Sequence, residues 1–477
     1  MSKIILVQPS DPAMTQILRD HMGKFGIIQQ SLTTLQYDLL PPLDLAYSAS
    51  LLENKDHEVS IIDSPSLGLD SSQVLNRIIN GNPDLIIINT SGVSINEDLD
   101  FAENVKKTTN KLVAVTGMYV SLFPEVALQR GIDLVIRDEI EYTILELSQK
   151  TTNFDNIKGL CYMKNGSIVK SPKRPINRNL DELPFPSYHL LPMKNYRYHL
   201  LKKRPFTTVL SSRGCPFGCI YCPYPLGYGN IWRGRTSENV LEELRLLVEK
   251  FDIKSILFRD QVFTYDMKRA EKICDGIIQD GLDIEWRCET RVDRLPKNLM
   301  YKMKEAGCKG VHLGIESGDP EILKRIAKVG VTVDLIKKVF KDAKEVGLET
   351  VAFFMLGLPG ETRESISKTF SLAKELGSDI TWFTAAVPIP GTKLYDLAEK
   401  KGWIITKDLK RYSGREVVMR TDNLTEQDIK NALIEAKIMF SGSAASLIKK
   451  GFSRKGISLV LSNPKKVMKY VFSKFKR

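Results

Sequence analysis

The chain has 477 residues, a length that predicts two or three domains and excludes a single small module. Its composition, 43% hydrophobic and 26% charged, is that of an ordinary globular protein and excludes a disordered or fibrous one. The formal net charge of +12 suggests a polyanionic partner such as nucleic acid or an anionic membrane, but residues 441–477 carry ten cations and no carboxylate, which leaves +2 for the rest of the chain.

The amino terminus contains an apolar run that is far too short for a secretory signal, and no stretch approaches the roughly 18 apolar residues of a membrane span. The sequence therefore predicts a cytoplasmic protein. Of the seven cysteines, four are scattered singly and three lie within eight residues. A reducing compartment with a metal site explains this cysteine usage better than a disulfide framework does.

Residues 1–150 contain short, almost continuously apolar runs that are separated by segments with helical periodicity. The runs are 4–8, 58–62, 85–89, 112–116 and 133–136. This alternation is typical of a parallel sheet with helices on both faces. We therefore predict a doubly wound, Rossmann-like α/β domain that binds its ligand at the carboxyl ends of its strands.

Residues 151–200 are turn-rich and predict a linker that packs between domains. A second alternating series predicts a β/α barrel, complete or partial, over residues 201–405, with its active site at the carboxyl ends of the strands. The predicted strands are 207–212, 255–259, 284–288, 310–314, 350–355 and 380–387. Ser237 is the predicted N-cap of the first barrel helix. Residues 406–477 are predicted to form a C-terminal helical region.

Cys215, Cys219 and Cys222 lie just past the first strand of the predicted barrel, in C-x3-C-x2-C spacing. Three thiolates on one tight loop can all reach a single cluster, and soft sulfur ligands favour iron–sulfur clusters or zinc over hard cations. A structural zinc site would need a fourth ligand, and no histidine or further cysteine lies nearby in the sequence. We predict an iron–sulfur cluster with one iron open for a substrate. Structural zinc and buried free cysteines remain the alternatives.

This cysteine motif, with the aromatic Tyr221 before its last cysteine, resembles the motif of the radical S-adenosylmethionine (SAM) superfamily. The resemblance implies a [4Fe–4S] cluster whose fourth iron chelates the amino and carboxylate groups of SAM. It also implies an external one-electron donor of the ferredoxin or flavodoxin type. Reductive cleavage of the sulfonium then gives methionine and a 5′-deoxyadenosyl radical that abstracts hydrogen from the substrate. The protein positions this radical and keeps water out.

The resemblance further implies that SAM is bound at the end of the fourth barrel strand. There Gly314 would let the backbone approach SAM, Glu316 would accept a hydrogen bond from a ribose hydroxyl, and Ser317 belongs to the same turn. Tyr221, through its backbone, and Gly357, after the fifth strand, are the implied contacts to adenine. An ordinary strand-to-helix turn is the alternative interpretation of the fourth strand's end.

Two other strand ends complete the SAM site that the resemblance implies. Asp260 follows the second strand, where relatives bind the SAM amino group. Glu289 and Arg291 follow the third strand, where a cation could pair with the SAM carboxylate. Ion pairs at the rim of the barrel are the alternative interpretation of these residues.

The α/β domain directly before the barrel, with Leu40-Pro41-Pro42-Leu43 ahead of its first helix, looks like that of the cobalamin-binding subfamily of radical SAM enzymes. In that subfamily the corrin lies over the strand ends, faces the iron–sulfur site and can relay a methyl group. The implied cobalamin contacts lie after the third and fourth strands and are Asn89, Thr90, Ser91 and Gly117.

The chain also departs from this subfamily. The Asp-x-His-x-x-Gly motif that supplies a cobalt ligand is absent, as it is in many members. Where relatives often have glycine-rich turns, this chain has Thr-Gly-Met-Tyr at 116–119 and Arg-Asp-Glu-Ile-Glu at 137–141. The lost glycines would crowd the nucleotide tail of cobalamin. The sequence therefore leaves two alternatives: the domain binds cobalamin, or it retains the fold and no longer binds cobalamin.

Residues 464–477 are predicted to form a basic amphipathic helix with Pro464 at its first position. Its apolar positions recur at helical spacing and are Val467, Met468, Val471, Phe472 and Phe475. Such helices lie in anionic membrane interfaces, which predicts peripheral association with the inner face of a membrane. Packing of the apolar face on the barrel is the alternative, and a nucleic-acid contact is disfavoured.

Together these features predict a radical SAM enzyme that functionalises an unactivated carbon of a lipid-like or natural-product small molecule. The reaction would be cobalamin-dependent methyl transfer, C–C bond formation or cyclisation. Methylthiolation is nearly excluded, because no cysteine precedes Cys161 to form a second triad. A radical SAM enzyme with a vestigial cobalamin domain and a non-catalytic iron–sulfur sensor or scaffold are the alternatives.

Overall fold

The computed structural model describes residues 1–10, 15–19, 27–30, 38–149 and 154–440. The amphipathic helix predicted at 464–477 lies outside these residues. Within the described ranges, no helix is both long and apolar enough to cross a membrane.

The amino-terminal region is built on one large sheet and a small hairpin. Its strands are β1 (Lys3–Gln8), β2 (Thr15–Leu18), β3 (Ile27–Gln30), β4 (Glu58–Asp63), β5 (Leu85–Asn89), β6 (Leu112–Thr116), β7 (Leu134–Ile136), β8 (Leu160–Lys164) and β9 (Ser167–Lys170). β2 and β3 pair only with each other, and the sheet has the order β4-β1-β5-β6-β7-β8-β9. The strands from β4 to β7 run parallel, which confirms the doubly wound prediction.

Helices cover both faces of this sheet. They are α1 (Leu43–Glu53), α2 (Ser64–Leu67), α3 (Ser71–Gly81), α4 (Ile95–Thr109), α5 (Met118–Leu122), α6 (Glu125–Leu128) and α7 (Glu141–Ser148). Alternate residues of β1 and β5 point to opposite faces, one packed on α1 and α7 and the other on α3 and α4. Because both faces are covered, β5 is buried along its whole length, which explains its unbroken apolar sequence.

The segment predicted as a linker contributes structure to the sheet. β8 and β9 fall within residues 151–200 and extend the sheet beyond β7 as an antiparallel hairpin. Asn165 and Gly166 form its turn, both with positive φ, the conformation for which Asn-Gly is favoured. The rest of the segment packs between the two regions, where Leu39 and Arg197 form an antiparallel bridge.

The second region is an open β/α barrel. Its strands are β10 (Phe206–Val209), β11 (Ser212–Arg213), β12 (Arg233–Gly234), β13 (Ser255–Phe258), β14 (Glu285–Thr290), β15 (Cys308–Glu316), β16 (Glu349–Leu356) and β17 (Ile380–Ala385). Six of them form a parallel sheet in the order β10-β13-β14-β15-β16-β17. Across the described residues, its edge strands β10 and β17 do not pair, so the barrel is partial.

Helices alternate with these strands. They are α8 (Tyr224–Tyr228), α9 (Ser237–Phe251), α10 (Met267–Gln279), α11 (Lys297–Glu305), α12 (Pro320–Arg325), α13 (Val333–Val346), α14 (Arg363–Leu376), α15 (Lys393–Lys400) and α16 (Glu426–Phe440). The N-cap of α9 is Thr236 rather than the predicted Ser237, because the Thr236 hydroxyl accepts a hydrogen bond from the Asn239 amide at 3.2 Å. α16 packs on β16 and β17, so the C-terminal region is helical over 426–440, whereas most of 406–425 is irregular.

Candidate functional site

A cavity of about 1090 Å³ lies where the carboxyl ends of the two parallel sheets face each other. The ends of β1, β4 and β5 contribute Gln8, Asp63 and Asn89 from one side. The cysteine loop and the barrel strands line the other side. This volume exceeds the range of about 300–1,000 Å³ that is usual for small-molecule sites, so the cavity can hold more than one ligand.

Backbone contacts fix the cysteine loop. Gly214 has φ +82, and a Cβ at this position would lie 1.9 Å from the carbonyl oxygen of Ile231. Only glycine therefore allows the chain to turn here and deliver Cys215 to the cavity. Farther along the loop, the Ile220 amide donates to the Ile326 carbonyl at 3.2 Å, and the Ile220 carbonyl accepts from the Leu394 amide at 2.9 Å.

The three predicted ligand cysteines, Cys215, Cys219 and Cys222, all line the cavity and form no disulfide. Burial raises the pKa of the Cys215 thiol and raises that of Cys222 to about 12. Among the described residues, no three metal-ligating side chains converge tightly enough to hold one ion. A cubane needs each thiolate on a different iron, so thiols spread around one cavity fit it.

Glu316 is held in an unusual conformation at the edge of the cavity. It has φ +68, which is uncommon for any residue other than glycine, and β15 is irregular at this point. Its carboxylate accepts hydrogen bonds from Tyr221 and Lys328, each at 2.8 Å. A Cβ on Gly314 would lie 2.5 Å from the Glu316 carboxylate, so this glycine, which also lines the cavity, makes room for that side chain.

Glu289 and Arg291 also line the cavity, as predicted, but each has a protein partner. Glu289 accepts a hydrogen bond from Arg259 at 2.7 Å. Arg291 pairs with Asp293 at 2.8 Å, and its guanidinium lies 3.6 Å from the centre of the Phe217 ring. These pairs keep charged groups at the mouth of the barrel without leaving a buried charge uncompensated.

Three predicted SAM contacts do not line the cavity. The Asp260 carboxylate is fully buried and accepts hydrogen bonds from the Ser211 and Ser212 hydroxyls, so it anchors the chain just before the cysteine loop. Ser317 bonds with Thr369 at 3.2 Å. Gly357 has φ +87 and packs against Ile429 of α16, where a Cβ would lie 2.9 Å from that side chain. In this structure these three residues contact neighbouring protein groups and do not line the cavity.

Of the four predicted cobalamin contacts, only Asn89 lines the cavity, where its amide donates to Gln8 at 2.8 Å. The Thr90 hydroxyl donates to the Thr116 carbonyl at 2.8 Å, and the Ser91 amide donates to Asp98 at 2.9 Å. Gly117 lies against Thr90, where a Cβ would be 2.3 Å from its carbonyl oxygen. The last three positions therefore stabilise the strand ends instead of facing the cavity.

A buried ion pair joins the two regions directly behind the cysteine loop. Arg213 donates to Glu141 at 2.7 Å, and both side chains are almost fully buried. The Arg213 guanidinium also lies 5.2 Å from the ring centre of Tyr47. Glu141 is the last residue of segment 137–141, whose missing glycines suggested crowding of the nucleotide tail of cobalamin. Through the pair with Arg213, this segment contacts the barrel.

Sequence reasoning missed several residues of the cavity. Gln8 and Asp63 could have been found, because Gln8 ends a predicted strand of the amino-terminal sheet and Asp63 directly follows one. The pair formed by Asp38 and His199 had no signal, because 161 positions separate the two residues. Lys328, 12 positions after Glu316, lies in no predicted motif.

The cavity carries a further feature that favours a bound group. Tyr224 is buried and lines the cavity, yet its hydroxyl has no hydrogen-bond partner among the residues that the structure describes. An unpartnered buried hydroxyl costs free energy unless a ligand bonds to it. Together with the three thiols and the volume, this polar group fits a site for an iron–sulfur cluster, SAM and a large organic cofactor.

Comparison with known proteins covers both regions. Residues 209–373 match the family model of the radical SAM superfamily, and residues 32–148 match that of the B12 binding domain. An uncharacterised methyltransferase of Pyrococcus horikoshii is 37% identical, over 87% of this chain and 91% of the relative. The cytidylyl-2-hydroxyethylphosphonate methyltransferase of Streptomyces wedmorensis is 24% identical, over 80% of this chain and 82% of the relative.

Solved structures share this fold. OxsB, a cobalamin-dependent SAM radical enzyme with aqua-cobalamin and SAM bound, superposes with a TM-score of 0.73 at 16% identity, over 99% of this chain and 72% of OxsB. The radical SAM methyltransferase TsrM of Kitasatospora setae, with cobalamin and a [4Fe–4S] cluster bound, gives a TM-score of 0.68 at 17% identity, over 85% of this chain and 76% of TsrM.

Proposed function

This chain belongs to the cobalamin-dependent radical SAM methyltransferase family, and from this premise we propose that it transfers a methyl group to an unactivated carbon of a small molecule. Its cofactors would be a [4Fe–4S] cluster, SAM and cobalamin. One SAM supplies the methyl group and another the radical that removes the hydrogen, with electrons from an external one-electron donor.

The observation that carries this proposal is the shared cavity. Cys215, Cys219 and Cys222 line it from the barrel, and Gln8 and Asn89 line it from the strand ends of the amino-terminal sheet. A cluster held by the thiols and a corrin laid over those strand ends would share one cavity of the described part of the chain. Such an arrangement suits methyl transfer between groups held in one water-poor space.

The side chains around the cavity have defined tasks in this proposal. The three thiolates would hold the cluster, and Asn89 would hold the corrin. Lys328 and Tyr221 fix the Glu316 carboxylate, so that it can accept a hydrogen bond from a sugar hydroxyl without rotating away. The Arg291 guanidinium lies over Phe217 of the cysteine loop, where it can attract the carboxylate of an amino acid.

Anaerobic reconstitution tests the proposal. The full chain, loaded with iron, sulfide and a corrinoid, should show the visible bands of both cofactors and should cleave SAM to 5′-deoxyadenosine when reduced. SAM with a deuterated methyl group should label the bound corrinoid, as seen by mass spectrometry. SAM cleavage without corrinoid retention would indicate a vestigial cobalamin domain. A stable cluster without SAM cleavage would indicate a sensor or scaffold. A product that gains no labelled methyl group would indicate cyclisation.

Membrane association remains a separate proposal that rests on the sequence alone. Residues 464–477 combine basic and apolar positions at helical spacing, and each cation near an anionic surface contributes about 1 kcal/mol. The full chain should sediment with anionic vesicles at low salt, and deletion of 464–477 should weaken this binding. A full chain that stays in the supernatant at low salt would contradict the proposal.

A further inference from the structure

An aromatic wall lines one side of the same cavity, away from the cysteine loop. We use this name for Tyr198, His199, His312, Phe353 and Trp382. Phe353 and Trp382 are direct neighbours on β16 and β17, and Phe353 also faces Gly314 of β15. Because side chains alternate along a strand, Phe353 and Trp382 share one face of the sheet. Phe354 and Phe383 stack on each other, and Phe383 also contacts Phe370 of α14 and Phe440 of α16.

Each ring of the aromatic wall contacts the ring next to it in space. Phe353 and Trp382 have centroids 5.2 Å apart, and His199 stacks on Trp382 at 6.0 Å with an interplanar angle of 28°. His312 lies 6.1 Å from Phe353 and 6.0 Å from Tyr198. Each ring is therefore braced by its neighbours, and the wall presents a fixed surface.

Much of the Trp382 side chain is accessible to a ligand. It is 38% exposed, although it points into the cavity. Gly314, which lies level with the rings, is two residues before Glu316, a separation of roughly 7 Å along a strand. A molecule lying on the wall would therefore sit beside the proposed SAM site.

The charges around the wall are already paired within the protein. Arg259 bonds with Glu289 at 2.7 Å, and Arg287 bonds with Glu349. His199 bonds through Nδ1 with both carboxylate oxygens of Asp38, at 2.9 and 3.0 Å. Burial, with smaller contributions from Arg287 and Arg259, lowers the pKa of His312 to about 3, so this ring is neutral. An uncharged ligand can lie beside these described pairs without a further counter-ion.

The pairing of His199 also defines a polar contact. A neutral imidazole whose Nδ1 faces a carboxylate carries its proton on Nδ1 and leaves Nε2 as an acceptor. No hydrogen bond to Nε2 is made by the residues that the structure describes. A hydroxyl or N–H group at the edge of a ring stacked on Trp382 could donate to this nitrogen.

We propose that the substrate of this enzyme is an uncharged, planar conjugated ring compound that stacks on Trp382 and Phe353 and donates a hydrogen bond to His199. This proposal rests on the methyl transfer proposed above and names its substrate class. Stacking on an aromatic surface favours a flat π-system over a saturated group of similar size, because it adds a ring–ring attraction to the burial of apolar area. A saturated lipid chain would gain only the burial.

Binding of matched probes to the full chain, carrying cluster and corrinoid, tests this proposal by calorimetry. Naphthol should bind about fivefold to tenfold more tightly than its saturated counterpart decahydronaphthol. It should also bind more tightly than the flexible chain decanol and the charged ring naphthoate. If decahydronaphthol or decanol binds as tightly as naphthol or more tightly, the substrate is not a planar ring compound. If naphthoate binds as tightly as naphthol, the substrate need not be uncharged.

Variants test whether the aromatic wall causes the preference for naphthol over decahydronaphthol. Trp382→Leu should remove most of the preference for naphthol over decahydronaphthol, and Trp382→Phe should keep it, because phenylalanine retains an aromatic face. Tyr301→Leu is the matched control, since Tyr301 is an exposed aromatic residue of α11 that does not line the cavity. A Trp382→Leu variant that keeps the full preference would overturn the assignment, and the melting curve of each variant shows whether it folds.

The same preparation separates this proposal from the methyl transfer on which it rests. SAM cleavage and labelling of the corrinoid report on methyl transfer and do not need the substrate ring. If both occur and naphthol shows no preference, only the substrate class is wrong. If naphthol is preferred through Trp382 and neither reaction occurs, the ring site stands and the methyl transfer is wrong.

Discussion

The two sides of the cavity differ in how they obtain their polar groups. The barrel side takes its thiols from one contiguous loop, and these thiols are free cysteines that face the cavity. The amino-terminal side takes its polar groups from separate strand ends, and these groups also bond within the protein. Asp63, for example, accepts a hydrogen bond from Tyr196 at 2.7 Å. In the proposed function, the chemistry would depend on three single cysteines on the barrel side, whereas ligand binding on the other side would depend on the shape of the cavity and on a few amides.

This difference predicts that the largest effect comes from the cysteines. Replacing Cys215, Cys219 or Cys222 with alanine should abolish both the cluster absorbance and SAM cleavage, because two thiolates cannot hold the cubane firmly. Cys274→Ala is the control, since Cys274 is buried in α10 and does not line the cavity. Formation of 5′-deoxyadenosine by a triple variant would show that the cluster is held elsewhere.

The junction between the two sides should give the next largest effect. Arg213→Met leaves Glu141 buried without its cation, which should cost about 3–5 kcal/mol of the free energy of unfolding. The double variant with Glu141→Gln should lose less than the sum of the single losses. Lys407→Met, which breaks an exposed pair with Glu399 of α15, should cost only about 0–1 kcal/mol. Equal losses for the buried and exposed pairs, in urea denaturation, would contradict a special role for this junction.

A buried carboxyl in the barrel, outside the cavity, should respond to pH. Burial raises the pKa of Glu361 from 4.5 to about 8, although its carboxylate accepts hydrogen bonds from the Gly357 and Leu358 amides. Between these values the folded protein keeps a proton that the unfolded chain releases, so stability should fall as pH rises from about 4.5 to 8. Since a shift of one pKa unit is worth about 1.4 kcal/mol, the free energy of unfolding should fall by an amount of the order of a few kcal/mol over this pH range.

Glu361→Gln isolates this contribution, because it keeps an acceptor oxygen and cannot ionise. Denaturation curves between pH 5 and 9 should be flatter for the variant than for the unsubstituted protein. Parallel curves for the two proteins would show that Glu361 does not carry the raised pKa.

The smallest effects are expected on the amino-terminal side, where neighbouring residues separate binding from folding. Asn89→Ala removes an amide that lines the cavity and should weaken corrinoid binding by up to about tenfold. Thr90→Val removes a hydroxyl that bonds within the sheet and should lower stability by about 1 kcal/mol with corrinoid affinity unchanged. Corrinoid titration and urea denaturation of both variants check this. Weaker corrinoid binding by Thr90→Val alone would reverse the assignment.

The sequence by itself determined the elements and the cysteine site, because both are local. Continuous apolar runs mark strands that are buried on both faces, and the three cysteines of the loop lie within eight residues of each other. The hairpin of β8 and β9 was also encoded, by Asn165-Gly166, although the surrounding turns pointed to a linker.

Tertiary structure alone decided which polar residue at each strand end faces the cavity. Asn89 faces the cavity, whereas the Thr90 hydroxyl bonds within the sheet. Arg259 faces the cavity, whereas the Asp260 carboxylate points inward to the Ser211 and Ser212 hydroxyls. It also joined Asp38 to His199, 161 positions apart, and placed Trp382 beside them. Periodicity fixes which residues end a strand, but the direction of the first side chain beyond it follows from the turn and from its hydrogen-bond partners. Those partners come from segments that only the packed fold brings together.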